Sequence, residues 1–152
     1  RQPRCLDIVL NSDVMICLMH MKGSPQDMQL NPSYKDVAGE VGKFLQERIT
    51  ICEKFGIDKS RIILDPGFGF GKTYENNLKL FQSIDKLNSL SKPLLIGVSR
   101  KSMVRKIVGD GENDIIYGSA IMAAISILRG ARIVRVHDVK ETKNALKILQ
   151  LK

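Results

Sequence analysis

Short apolar runs alternate along this chain with longer stretches in which apolar positions recur at helical spacing. Leu6, Val9 and Leu10 form a brief helical stripe that stops at Asn11-Ser12-Asp13. Val14 to Met19 is apolar without interruption, which predicts a fully buried strand running into His20-Met21-Lys22-Gly23-Ser24-Pro25. Residues 22–35 are polar and hold Pro25 and Pro32, the composition of a long loop. From Asp36, the positions Val37, Val41, Phe44, Leu45, Ile49 and Cys52 predict an amphipathic helix, with Gly56 placed for a left-handed cap.

The alternation then repeats. A second strand over Arg61 to Asp65 opens into a glycine-rich loop, followed by one helix with Leu78, Phe81, Ile84 and Leu87 on a single face. Pro93 to Val98 predicts a third strand delivering Ser99-Arg100-Lys101-Ser102, and Gly109-Asp110-Gly111 marks a turn. Ile115 to Leu128 predicts a long helix whose small residues (Gly118, Ala120, Ala123, Ala124) suit close packing, and Gly130 caps it. Arg132 to Asp138 predicts a fourth strand, and Ala145, Leu146 and Leu149 the inward face of a last helix.

Apolar strands that do not alternate, separated by helices, imply an α/β fold with a parallel sheet covered by helices. Two architectures fit, an open doubly wound sheet or part of a (β/α)8 barrel. A complete barrel takes about 250 residues, so about four βα units make half of one. No linker or low-complexity tract divides residues 1–152, which therefore read as one domain.

Composition narrows the partners. Hydrophobic residues make up 43% and charged ones 26%, a globular balance. No apolar run approaches the roughly 20 residues that span a bilayer, and the start at Arg1-Gln2-Pro3 has neither initiator Met nor signal-peptide core. The chain is expected to be a piece of a longer protein. Cys5, Cys17 and Cys52 form no CxxC pair and lie among apolar residues, which predicts reduced core thiols in a cytoplasmic protein. The formal charge of +8 asks for an anionic partner. Basic residues gather at Lys92 to Lys106 and Arg129 to Lys152, yet aromatics are only 5% with no Trp. Stacking platforms for bases are scarce, so a small anion is expected rather than nucleic acid.

The strand ends carry the candidate chemistry. Asp65-Pro66-Gly67-Phe68-Gly69-Phe70-Gly71-Lys72 is tested first as a phosphate loop. The Walker spacing puts Pro66 where its first glycine belongs, and the glycine positions also miss GxGxxG. The stretch reads instead as a carboxylate at a strand mouth beside a flexible wall, with Phe70 free to cover a ligand. The alternative is an acid that only caps the next helix. At Ser99-Arg100-Lys101-Ser102, continued extension would put Ser99 and Lys101 on one face and Arg100 on the other, and Gly97 would admit a flat ligand. A solvated basic loop is the alternative there. Arg135 and His137, two residues apart, share one side of their strand and make a clamp for phosphate oxygens, while the residue between them faces away. His20, flanked by Met19 and Met21, is a weaker ligand-lining candidate. No His, Cys, Asp or Glu group has metal-ligand spacing, and no GxSxG elbow occurs.

Taken together, Cys17 to Met21 with Gly23-Ser24-Pro25, Leu64 to Lys72, Gly97 to Ser102 and Arg135 to Asp138 resemble the C-terminal motifs of the dihydropteroate synthase family. The resemblance runs in order through essentially the whole chain. It implies strands five to eight of a pterin-binding TIM barrel. The family condenses hydroxymethyl-dihydropterin diphosphate with p-aminobenzoate and releases pyrophosphate, in folate biosynthesis, and sulfonamides compete for the aminobenzoate position. By position, Asp65 corresponds to the acid holding the pterin's amino-pyrimidine edge, and Lys101 to a pterin-contacting lysine accompanied by Met19, Phe70 and Gly97. Ser99 would lie near the aminobenzoate, and Arg135, Val136 and His137 at the diphosphate. Lys101, Arg135 and His137 would be the catalytic set.

The resemblance also implies Mg2+, with its ligands in the amino-terminal half that this sequence lacks and none in these residues. A homodimer is implied for the full-length protein, with the present chain inactive alone. Another pterin-binding barrel, such as a methyltetrahydrofolate-dependent methyltransferase, is the neighbouring alternative. A methyl transfer, however, needs no diphosphate clamp. A non-catalytic half-barrel is the other.

Overall fold

The computed structural model describes residues 3–28, 30 and 32–150; Arg1 and Lys152 lie outside them. Helix α1 (Pro3–Leu10) precedes four strands, β1 (Ile16–Met19), β2 (Ile62–Asp65), β3 (Leu95–Ile96) and β4 (Ile133–Val134). Between and after them come α2 (Val37–Lys54), α3 (Tyr74–Gln82), α4 (Ser102–Val108), α5 (Glu112–Leu128) and α6 (Val139–Leu149). β1 pairs in parallel with β2, and β3 with β4. A parallel bridge from Leu64 to Leu94 joins the two pairs, so the strands lie in chain order and their carboxyl ends share one rim. This is the succession of βα units that the apolar pattern predicts.

The caps explain where helices stop. Gly56 has φ +97°, its N–H donates to the Glu53 carbonyl, and Ile57 donates to the Cys52 carbonyl, both at 3.0 Å. These are the paired bonds of a Schellman ending. Gly130 and Ala131 repeat the arrangement on the Ile127 and Ser126 carbonyls. The start of α2 is held differently. Glu40 reaches back to accept from the N–H groups of Lys35 and Asp36, at 2.8 and 3.3 Å.

The core lies between the sheet and the helices. Val41 and Leu45 of α2 meet Ile62 and Leu64 of β2, with Leu80, Ile84, Leu94, Ile96 and Val104 completing a layer almost sealed from water. Burying one such side chain is worth about 1.5–3 kcal/mol, so this layer dominates the stability. Gly118 lets α5 press on α4: a Cβ there would stand 3.0 and 3.1 Å from methyls of Val108 and Val104.

Several expectations change. The strand predicted over Val14 to Met19 is shorter and only half covered: Val14 and Met15 are 53% and 54% exposed, and burial alternates along Ile16–Met19. β1 has only β2 beside it among the described residues, so it is an edge strand, and Cys17 and Met19 share its more exposed face. Cys17 on that face is exposed, as is Cys5 on α1, and only Cys52 is a core thiol. The single helix expected after the glycine loop breaks at Ser83 into α3 and a 3-10 segment, Ile84–Leu90. The break turns Leu80 into the core in place of Leu78, which is only partly covered. Helix α4 follows the third strand end where the pattern showed no helix.

Candidate active site

The glycine loop is pinned rather than flexible. Gly67, Gly69 and Gly71 have φ of +71°, +79° and +66°, a region that residues with a Cβ rarely adopt. A Cβ on Gly67 would fall 1.8 Å from the His20 carbonyl oxygen, and one on Gly71 would fall 2.3 Å from that of Lys22. The loop therefore lies directly on the chain leaving β1. Tyr34 Oη donates to the Gly71 carbonyl at 2.7 Å, and Gly69 donates to Asn77 Oδ1 at 2.8 Å. Phe68 is fully buried edge-on against Phe81, with centroids 6.0 Å apart. Phe70 is not free either. Lys101 Nζ stands 4.8 Å from its ring centroid, a cation–π contact worth about 0.5–2 kcal/mol.

Asp65 closes β2 and is 7% exposed. It does not cap α3. Thr73 does so, its Oγ1 accepting from the Asn76 N–H at 3.2 Å. Asp65 Oδ1 accepts from the Gly67 N–H at 2.8 Å, which sets the carboxylate's direction. The β1–β2 register places Met19 beside Asp65. Cys17, nearby on β1, has its thiol pushed up by burial and then by the Asp65 charge.

The third strand end turns instead of staying extended. Arg100 adopts φ +57°, and its N–H donates to Ser119 Oγ at 2.9 Å. A left-handed backbone at a residue with a Cβ costs roughly 1–2 kcal/mol. The side chain offsets this by gripping Asp138 with two bonds, Nε to Oδ2 at 3.0 Å and Nη2 to Oδ1. Only Lys101 of the two cations thus turns toward the glycine loop, its Nζ donating to the Phe68 carbonyl. Burial pushes the Lys101 amine down to about 8 despite the opposing Asp65 charge, and Arg135 adds to the lowering.

Ser99 serves His137. Its Oγ accepts from the His137 N–H at 3.2 Å and lies 3.0 Å from His137 Nδ1. In the tautomer whose Nδ1 accepts a hydrogen bond from the Ser99 hydroxyl, the ring's own proton is on Nε2, which can then donate. The Arg135 guanidinium lies over Gly97. A Cβ there would stand 3.1 Å from Arg135 Nη2. Arg135 and His137 are exposed while Val134 and Val136 are partly covered, so Val136 is turned away from the pair and its side chain does not join the clamp.

His20 is a buried support and does not line the site. It is 5% exposed, edge-on to Phe44 at 5.0 Å, with Nδ1 2.9 Å from Lys72 Nζ. Burial, reinforced by the Lys72 charge, lowers it to about 4 from 6.5. Unfolding would restore proton binding, so between those limits the unfolded state holds more protons and stability rises with pH. At most about 3 kcal/mol is expected to be lost as pH falls from 6.5 toward 4. Urea unfolding at pH 4.5 and 7 should show a smaller difference in His20→Gln than in wild type, and equal differences would contradict the assignment.

Sequence reasoning thus brought Asp65, Phe70, Lys101, Arg135 and His137 to one rim and missed what holds them, namely Lys72, Asn77, Ser119 and Asp138. Asp138 lies 38 residues from Arg100 and Ser119 lies 19 from it, so no local spacing marks them, while Lys72 donates to Gly67 only five residues back. A lysine ending a glycine run was the only visible signal.

Four parallel strands, helices on one side and an ionisable rim at the strands' carboxyl ends define half of a βα-barrel. The chain belongs to the pterin binding enzyme family, whose profile matches residues 1–137. It is 41% identical over 149 residues to dihydropteroate synthase of Escherichia coli (strain K12), covering 98% of this chain and 53% of that protein. It is 49% identical to the enzyme of Neisseria meningitidis serogroup C, covering 90% of this chain and 49% of that one. The structure superposes with a TM-score of 0.93 on Yersinia pestis dihydropteroate synthase with a sulfonamide drug complex, at 40% identity over 99% of this chain and 55% of that one. For the Xanthomonas albilineans enzyme in complex with 7,8-dihydropteroate, the TM-score is 0.89 at 40% identity, over 99% of this chain and 56% of that one. The chain spans about half the length of the relatives it matches.

Proposed function

We propose that this chain is the pterin- and diphosphate-holding half of a dihydropteroate synthase. The observation that carries this is the common rim, on which one directed carboxylate, Asp65, and the Arg135 guanidinium both act on the Lys101 amine, with His137 two residues beyond Arg135. The Xanthomonas albilineans relatives are bound to 7,8-dihydropteroate and to 4-aminobenzoic acid, the product and one substrate of such a condensation. Asp65 accepts the parallel N–H bonds of the amino-pyrimidine edge, a fork-to-carboxylate match. Lys101 contacts the pterin beside Phe70, and Arg135 with His137 binds the diphosphate. The aminobenzoate nitrogen attacks the pterin methylene carbon. The C–N bond forms as the C–O bond breaks, pyrophosphate leaves with the bonding pair, and the nitrogen loses a proton. Cations at the leaving oxygens stabilise the charge that develops there. Sulfonamides would occupy the aminobenzoate position.

The family's Mg2+ would neutralise diphosphate. Among the described residues no three His, Cys, Asp or Glu are grouped to hold a metal, so no step here runs through it. The full-length protein is read as a cytoplasmic homodimer. Tyr117, Ile121 and Leu128 on α5 and Ile148 on α6 are 57–69% exposed, an apolar face suited to a second copy. No helix among the described residues is long and apolar enough to cross a membrane.

Full-length protein supplied with both substrates and Mg2+ should form dihydropteroate, and no product would refute the reading. Two substitutions separate the roles. Lys101→Ala is expected to raise the pterin KM with pyrophosphate affinity unchanged, and Arg135→Ala to weaken pyrophosphate about tenfold or more. Equal pyrophosphate affinity in wild type and Arg135→Ala, by calorimetry, would remove the clamp.

A further inference from the structure

Lys72 is a rim-side cation for which the functional reading has no use. It is 3% exposed behind the glycine loop. Its Nζ lies 2.7 Å from the Gly67 carbonyl, 3.2 Å from that of Phe70 and 2.9 Å from His20 Nδ1. An ammonium has three donors and no acceptor, and these three acceptors match it. Gly67, held by Lys72 at its carbonyl, donates its own N–H to Asp65 Oδ1 at 2.8 Å. Asp65 and Lys72 are thus linked through a single residue whose conformation has no slack, because a Cβ on Gly67 would collide with the His20 carbonyl.

Resting on the reading of Asp65 as the pterin anchor, the geometry points to Lys72 as a positioning residue for the pterin. It fixes Gly67, Gly67 fixes the Asp65 carboxylate, and Lys72 acts on substrate binding without touching the substrate.

Burial pushes Lys72 down to about 7, Asp65 pulls it back up, and Lys101 lowers it further. On the far side His20 faces Lys22 and Glu40, whose effects on it oppose each other. Asp65 therefore lies between two amines, one turned to the ligand side and one to the core. The buried amine is the one that Gly67 connects to it.

The test is a double-mutant cycle in the full-length protein with Lys72→Met, Asp65→Asn and both, reading pterin diphosphate affinity by calorimetry, the aminobenzoate KM and the thermal midpoint. Lys72→Met is expected to weaken pterin binding about tenfold with the aminobenzoate KM within about twofold, and to weaken it further by less than about twofold when Asp65 is already Asn. Wild-type pterin affinity in Lys72→Met, or the same loss with and without Asp65, would overturn the proposal and leave Lys72 a strut of the fold. If Lys72→Met does not fold, Lys72→Gln, which keeps donors for both carbonyls, enters the same cycle with a smaller expected loss. Equal pterin affinity in wild type and Asp65→Asn would overturn the anchor reading itself and this inference with it, so the two failures are told apart.

Discussion

Asp65→Asn in the full-length protein is expected to lower kcat/KM for the pterin diphosphate by about a hundredfold to a thousandfold, mostly through KM. Two charge-assisted hydrogen bonds at about 1.5–3 kcal/mol each total about 3–6 kcal/mol, and the lower part of that span, at 1.36 kcal/mol per factor of ten, gives the expected loss. The direction of the side chain makes the substitution severe. Oδ1 is held by the Gly67 N–H, which an amide oxygen would keep, so the Nδ2 amide would face the substrate. An N–H donor would then meet the N–H donors of the amino-pyrimidine edge. Because the Gly67 bond survives, the unfolding midpoint should move little. Steady-state kinetics with calorimetry checks both halves, and wild-type pterin affinity in the variant would sink the anchor role.

Gly67→Ala should be the most damaging single methyl in the chain. The new Cβ would lie 1.8 Å from the His20 carbonyl oxygen and 2.9 Å from its carbon, at φ +71°. Left-handed strain alone costs roughly 1–2 kcal/mol, and backbone meeting backbone cannot yield by rotating a side chain. The loop must lift, breaking the Gly67 bonds to Asp65 and Lys72, for a total expected loss of about 3 kcal/mol or more. Gly56→Ala is the control: its φ is +97° in a left-handed helix cap, and the nearest atom to its Cβ is a Leu10 methyl at 3.4 Å, an ordinary contact, so only the strain should appear. Denaturant unfolding of the two variants separates collision from strain. Equal losses would mean that the loop does not rest rigidly on the chain after β1.

The two substitutions also mark what could and could not be read along the chain. Gly56 and Gly130 announced their helix ends, because a cap needs only the few residues before it. Asp65, Lys101, Arg135 and His137 announced themselves by standing where apolar strands end. Gly67 announced freedom and delivered constraint. What it leaves room for is the His20 carbonyl, which a local pattern cannot contain. The neighbour of Gly97, the Arg135 guanidinium, is likewise beyond a local pattern. Ser99 lies 3.0 Å from His137 Nδ1, 38 residues on, a partnership that neither residue's neighbours in sequence could show. Val14 and Met15 are apolar yet exposed, because apolar character states what a side chain prefers and not whether anything covers it.

By itself the sequence determined the succession of βα units, the helix caps and the residue types on the rim, all of which follow from periodicity and short-range hydrogen bonding. Only the tertiary structure decided that the Gly67 turn rests on the His20 carbonyl, that Lys72 reaches His20 Nδ1, and that Arg100 leaves the site to hold Asp138. Those outcomes depend on which strands lie side by side. A parallel sheet brings together loops that the chain separates by a whole helix, so the contacts that aim a functional side chain are the ones that local pattern does not encode.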